Sequence, residues 1–109
     1  MAESEVNIEI MEIIKKYLAE IGKHYKIDSA ILFGSYAKGA AHKDSDIDIA
    51  VVSRDINNEY DETLNLMRFR RKIDLRIEPH PIQTEDYRNR ATPFIDEIIN
   101  TGIPIYPML

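Results

Sequence analysis

Apolar residues recur at Ile10, Ile14, Tyr17, Leu18, Ile21 and Tyr25 between Asn7 and Tyr25, the spacing of an amphipathic helix that packs on a core. Glu9 and Glu12 come early in this segment and Lys15, Lys16 and Lys23 later, the order a helix dipole favours. The short apolar run Ala30-Ile31-Leu32-Phe33 ends at Gly34-Ser35, which predicts a buried strand entering a tight turn. A short helix over Tyr36–Ala41, broken near Gly39, and a polar loop from His42 to Ser45 follow. A second strand is expected from Asp46 to Val52, and Asn57-Asn58 marks the next loop. Tyr60, Leu64, Met67 and Phe69 then suggest an amphipathic helix over Glu59–Arg71, with Arg68, Arg70, Arg71 and Lys72 gathered at its C-terminal end. Ile73-Asp74-Leu75-Arg76-Ile77-Glu78 alternates strictly and predicts a third strand, which Pro79 and Pro81 should end. Thr92-Pro93 reads as a helix start and Gly102 as its end, and Ile103–Tyr106 as a short edge strand that tolerates Pro104. Alternating strands and helices predict an α/β or α+β sheet with helices packed on it.

Length sharpens this into a single domain over residues 1–109, since 109 residues can bury a core but leave little room for a second module. A composition 44% hydrophobic and 30% charged is that of an ordinary globular protein. No apolar run approaches a membrane span, and the start Met1-Ala2-Glu3-Ser4-Glu5 is acidic, unlike a signal peptide. With no cysteine, disulfides and thiolate metal sites are excluded, and a cytoplasmic location is the default expectation. The net charge of -5 argues against general nucleic-acid binding, which calls for a basic face. A nucleotide substrate stays open, because a divalent cation can supply the positive charge a polyphosphate needs.

Candidate chemistry lies in the carboxylates. Strand side chains alternate between faces, so Asp46 and Asp48 share one face and Ile47, Ile49 and Val51 the other. The same rule groups Asp74, Arg76 and Glu78 on the expected third strand. If the two strands are neighbours, about 4.8 Å apart, three carboxylates converge, and unless neutralised at least one should have a raised pKa. Magnesium prefers such hard oxygen ligands, and two aspartates about 7 Å apart along a strand can straddle two ions roughly 3.5–4 Å apart. Taken alone, Asp46 and Asp48 read as a solvated strand face, and Gly34-Ser35 as an ordinary turn. In a site, Gly34 would let backbone approach a ligand closely and the Ser35 hydroxyl would contact phosphate. Arg76 can bind triphosphate or balance charge in an ion pair, while His24 and His80 have no partner visible in the sequence.

Together, Gly34-Ser35-Tyr36-Ala37-Lys38-Gly39 and Asp44-Ser45-Asp46-Ile47-Asp48-Ile49 resemble the signature of the DNA polymerase beta nucleotidyltransferase superfamily, most closely its minimal nucleotidyltransferase group. That pattern is Gly-Ser, a spacer of about ten residues, Asp-x-Asp, and a third carboxylate on a later strand. The resemblance implies an α+β polymerase-beta-like nucleotidyltransferase fold, a mixed β-sheet with helices packed on one face. It implies that Asp46 and Asp48 ligate two Mg2+ ions, that Asp74 completes the catalytic metal site, and that Gly34 and Ser35 hold the β- and γ-phosphates of ATP. The group more often has arginine where Lys38 stands, which bears on phosphate contact.

The same resemblance implies the acceptor. Many minimal nucleotidyltransferases act as antitoxins toward a HEPN-domain protein, some by transferring AMP to its tyrosine, so a nucleoside triphosphate and a HEPN protein are the expected partners. Two other readings stand beside this one. The first is transfer to a small molecule, as in aminoglycoside nucleotidyltransferases, although those carry a further helical domain. The second is a non-catalytic module that neutralises its partner by contact. The Pro104 edge strand and the apolar end Ile105-Tyr106-Pro107-Met108-Leu109 suit a partner or a homodimer.

Overall fold

A computed structural model describes residues 8–107. The acidic start and the last two residues of the apolar C-terminus, Met108 and Leu109, lie outside them. Helix α1 (Ile8–Ile21) buries the expected stripe of Ile10, Ile14, Tyr17, Leu18 and Ile21. It stops before Tyr25, which a closing turn nonetheless returns to the core. Strand β1 (Ile27–Phe33) runs into the four-residue helix α2 (Ser35–Lys38), and β2 (Ile47–Ser53) follows the polar loop. Helix α3 (Glu59–Phe69) is capped by the Asn58 side chain and ends in a 3₁₀ turn over Arg70–Lys72. Strand β3 (Ile77–Gln83), the short helix α4 (Thr84–Arg88), α5 (Pro93–Thr101) and β4 (Ile103–Tyr106) complete the chain.

Four strands form one mixed sheet in the order β3-β2-β1-β4. β1 is antiparallel to both β2 and β4, whereas β2 and β3 are parallel. Alternation divides the core. Ala30, Leu32, Ile47, Ile49, Val51 and Ile77 face α1 and Leu66 of α3. Ile31, Ala50, Val52 and Ile82 face the other way and pack on Ile95 and Ile98 of α5. A smaller helical layer on the second face thus joins the principal one. Two tyrosines tie α1 to α3. The Tyr17 hydroxyl donates to the Leu66 carbonyl at 2.6 Å, satisfying one of the orphan acceptors in the last turn of α3. The Tyr25 hydroxyl donates to Glu62 Oε1 at 2.5 Å. Gly102 lets α5 turn tightly into β4, since a Cβ there would lie 2.4 Å from Ile31 Cγ2.

The third strand differs from its expected position. Residues 73–76 form a turn, and the strand begins at Ile77 and passes through Pro79 and Pro81. Asp74 Oδ1 accepts the Arg76 backbone N–H at 2.9 Å, the side-chain closure of an Asx turn, which competes with an extended ladder. Leu75, 67% exposed, has no core to enter there. The prolines are tolerated because β3 is an edge strand. They recur with period two, so their missing N–H groups fall on one side of the strand and leave the alternate residues to pair with β2. Among the described residues, no helix is long and apolar enough to cross a membrane.

Candidate active site

One end of the sheet, where β1 leaves and β2 and β3 enter, gathers the polar groups. Phe33, the last residue of β1, lies opposite Asp48 in β2. Gly34 follows with φ 76° and ψ -148°, backbone that suits glycine alone. A Cβ at this position would lie 2.4 Å from Asp48 Oδ2, so backbone and carboxylate are in direct approach. Ser35 begins α2, half-buried, and its hydroxyl makes no hydrogen bond among the described residues. Gly39, at φ 73°, ends α2 by returning its N–H to the Ser35 carbonyl.

The loop from His42 to Ser45 is held from several sides. Tyr36 donates its hydroxyl to the His42 carbonyl at 3.2 Å, and Ser45 Oγ accepts the His42 N–H at 2.9 Å. Arg76 donates to the Lys43 carbonyl at 2.9 Å. These bonds deliver Asp46, exposed, to the position just before β2, and alternation places it on the Asp48 side. Asp48 is itself 24% exposed.

Parallel register then brings in two residues that the sequence pattern had not assigned to the site. Glu78 lies opposite Asp48, and His80 opposite Ala50. His80 Nε2 comes within 3.3 Å of Asp48 Oδ1. Arg70, at the end of α3, donates to the Ile77 carbonyl at 2.7 Å and to Glu78 Oε2 at 3.4 Å, fixing both the strand entry and the carboxylate. The legible signal was the period-two run Glu78-Pro79-His80-Pro81, whose polar members share a face.

Asp74 lies in the turn before β3 and not on the strand itself. It is 17% exposed and binds Arg76 through both carboxylate oxygens, at 3.0 Å to Nε and 2.9 Å to an outer nitrogen. Hydrogen bonding from Arg76 holds its carboxyl below the usual value, despite partial desolvation, and the same pairing raises the Arg76 guanidinium. The raised carboxylate expected of a clustered triad is therefore not Asp74. Of the two roles open to Arg76, the ion pair is the one formed. Gly34, Asp48, Glu78 and His80 come together, Ser35 follows Gly34, Asp46 stands just before β2, and Asp74 supports the neighbouring loop through Arg76.

An aromatic wall borders the carboxylates. Phe33 meets His80 edge-on at 4.9 Å and Phe94 at 5.6 Å between ring centroids. Phe94, 49% exposed, also borders a groove of about 290 Å³ between α3 and β3. Lys38 reaches Glu97 of α5 at 4.0 Å on the other side of Gly34.

The donor set suits a hard divalent cation. Asp48 and Glu78 offer carboxylate oxygens in register on one face, and Asp46 stands two residues before Asp48. Among the described residues, no three acidic or histidine side chains already close around one point. Magnesium does not require such a cage, because it keeps several waters and shares substrate phosphates.

A profile of the family described as "Polymerase beta, Nucleotidyltransferase" matches residues 12–108. The chain belongs to this family. A Methanocaldococcus jannaschii relative named "Putative protein adenylyltransferase MJ0141" is 32% identical over 103 residues, covering 90% of this chain and all of that protein, 100%. A second from the same organism, "Putative protein adenylyltransferase MJ1379", is 43% identical over 67 residues, or 60% of this chain and 66% of the relative. A crystal structure of a Sulfolobus solfataricus protein described as a putative nucleotidyltransferase superposes with a TM-score of 0.69, covering 91% of this chain and 81% of that one. Its 20% identity speaks to the fold. The family is that of the motif resemblance, and the enzyme class is nucleotidyltransferase.

Proposed function

We propose that this nucleotidyltransferase moves AMP from ATP to a hydroxyl of a protein, and that its acceptor is a tyrosine of a HEPN-domain toxin which the chain restrains as antitoxin. The observation that carries the catalytic part is the approach of Gly34 to Asp48, with Glu78 opposite Asp48 on the next strand. The relatives' names, protein adenylyltransferase, support a protein acceptor. The HEPN partner follows from the resemblance to minimal nucleotidyltransferases.

In this reading Gly34 and Ser35 hold the β- and γ-phosphates, where a backbone without a side chain and an uncommitted hydroxyl are available. Asp46, Asp48 and Glu78 hold two Mg2+ ions, with Glu78 in the place expected for Asp74. Bound magnesium supplies charge neutralisation at the phosphates. Asp48 is kept in orientation by His80, and Glu78 by Arg70. The acceptor oxygen bonds to the α-phosphorus, the bond from that phosphorus to the bridging oxygen breaks, and pyrophosphate leaves. The hydroxyl proton passes to Glu78.

The test is label transfer from α-labelled ATP to a purified HEPN partner with magnesium. Wild-type protein should label it, and Asp48→Asn and Glu78→Gln should each lower the rate by about 100-fold or more. Asp74→Asn should keep most of it. Full activity in Glu78→Gln together with loss in Asp74→Asn would reverse the carboxylate assignment, and an unlabelled partner with wild-type enzyme would remove the acceptor.

A further inference from the structure

Of the basic run at the end of α3, Arg70 serves the site and the other three cations do not. Arg70 donates to the Ile77 carbonyl and to Glu78. Arg68 bonds the neutral amide oxygen of Asn65 at 3.2 Å and meets no carboxylate among the described residues. The side chains of Arg71 and Lys72 are exposed, with no hydrogen bond or ion pair among the described residues. The C-terminal end of a helix carries about half a negative charge, which a single cation offsets. Arg68, Arg71 and Lys72 therefore leave positive charge in excess, on a chain whose net charge is -5.

Those three cations border a cavity of about 430 Å³ together with Glu20, Phe69 and Ile73. Glu20 of α1 is its one acid, and it already meets Lys23 at 3.3 Å and His24 at 3.9 Å. Lys16, exposed one turn before Glu20, adds further positive charge. The acids around the cavity are engaged as well. Asp74, next to Ile73, is held by Arg76. Beyond the stacked rings of His24 and Phe69, Glu62 takes the Tyr25 hydroxyl and Asp55 the Lys26 N–H. Phe69 and Ile73 pack against the core and give the cavity an apolar floor. That character continues along the helix. Tyr60 and Leu64, 73% and 45% exposed, precede Arg68 at four-residue steps, so all three share the α3 face opposite the buried Leu66.

This combination selects an occupant. Carboxylates match the guanidinium forks of Arg68 and Arg71, and apolar side chains would cover Leu64, Phe69 and Ile73. A nucleic-acid strand follows an extended basic track, which Arg68, Arg71 and Lys72 do not make on an acidic chain. We infer that the C-terminal end of α3 is a docking surface for an acidic segment of another protein, one that presents carboxylates and apolar side chains together. This surface goes beyond the transfer reading and does not depend on it, since no residue lining the cavity belongs to the site.

The experiment uses the full chain and fluorescent helical peptides of one length. The first carries leucines on one face flanked by glutamates, the second has lysine for each glutamate, and the third has serine for each leucine. Binding is read by anisotropy and located by backbone amide shifts. The leucine–glutamate peptide should bind about tenfold more tightly than either control, shifting Leu64, Arg68 and Arg71. Arg71→Glu should weaken it by about tenfold, with Lys72→Glu acting in the same direction. Arg88→Glu, the same charge change at an exposed arginine of α4, should weaken it by less than about twofold. Equal binding of the peptides, shifts confined to other surfaces, or equal losses in Arg71→Glu and Arg88→Glu would overturn the inference. So would displacement of the peptide by an equal concentration of a thymidine oligonucleotide, which would make the surface a nucleic-acid site. Self-association in sedimentation that Arg71→Glu abolishes would overturn it too, assigning the surface to a second copy of this chain.

Discussion

Gly34 answers two demands with one missing side chain. Its φ of 76° is backbone that a Cβ opposes, and that Cβ would also lie 2.4 Å from Asp48 Oδ2. Gly34→Ala is therefore expected to cost about 1–3 kcal/mol of stability through backbone strain. It should cost about 100-fold in transfer rate, because displacing Asp48 spoils the geometry of the reacting groups. Urea denaturation and label transfer measured on the same preparation would check both, and unchanged activity would show that the approach of Gly34 to Asp48 is incidental. Residue by residue, Asp46, Asp48, Gly34 and Ser35 were legible as candidates because each sits in a local, spaced pattern. Glu78 shared a strand face with Asp74 in the pattern and His80 had no visible partner, and the nearness of both to Asp48 depends on which strand lies beside β2 and in what register. Asp74 illustrates the converse, since an aspartate can close an Asx turn on the residue two positions on as readily as it can take a place in an alternating strand.

Elements show the same division. The period of α1, the Thr92 cap of α5 and the edge strand at Ile103–Tyr106 arise from local chemistry, and each lies close to where the pattern put it. β3 is shifted toward the C-terminus, because an edge strand can carry Pro79 and Pro81 while the turn before it is stabilised by Asp74 and Arg76. That turn has a job at the site, since Arg76 also grips the Lys43 carbonyl in the loop preceding Asp46. The pairing carries a pH signature. Asp74 has a folded pKa below its usual 3.8, so the stability it contributes is full above that value and is lost as pH falls through the lower folded value. Asp74→Asn should lower stability at pH 6 by about 1–3 kcal/mol, leaving Arg76 with an unmet partner, and should flatten the decline on the acid side. Urea midpoints taken from pH 6 down to pH 2.5 would show it, and parallel acid limbs for the two proteins would count against the clamp.

For the molecule as a whole, the sheet is enclosed by α1 and α3 on one face and α5 on the other, and the site lies at the end where Asp48 and Glu78 emerge beside α5. Tyr25 helps to hold the α1–α3 layer. Burial, with hydrogen bonding to Glu62, pushes its hydroxyl up to about 12 from 10.0. The folded state thus favours the neutral phenol, a contribution present below pH 10 and lost as pH rises toward 12. Tyr25→Phe should lose about 1 kcal/mol at pH 7 and show a shallower alkaline decline, measurable by urea denaturation from pH 7 to pH 11. The amino-acid sequence by itself determined the helix faces, most strands, the Gly-Ser and Asp-x-Asp pair and the nucleotidyltransferase family, because periodicity and motif spacing act over a few residues. Only the tertiary structure decided that Glu78 and His80 face Asp48 while Asp74 serves the loop, and that a groove opens beyond β3. Those relations join residues some 30 positions apart through parallel strand register, which local pattern does not encode.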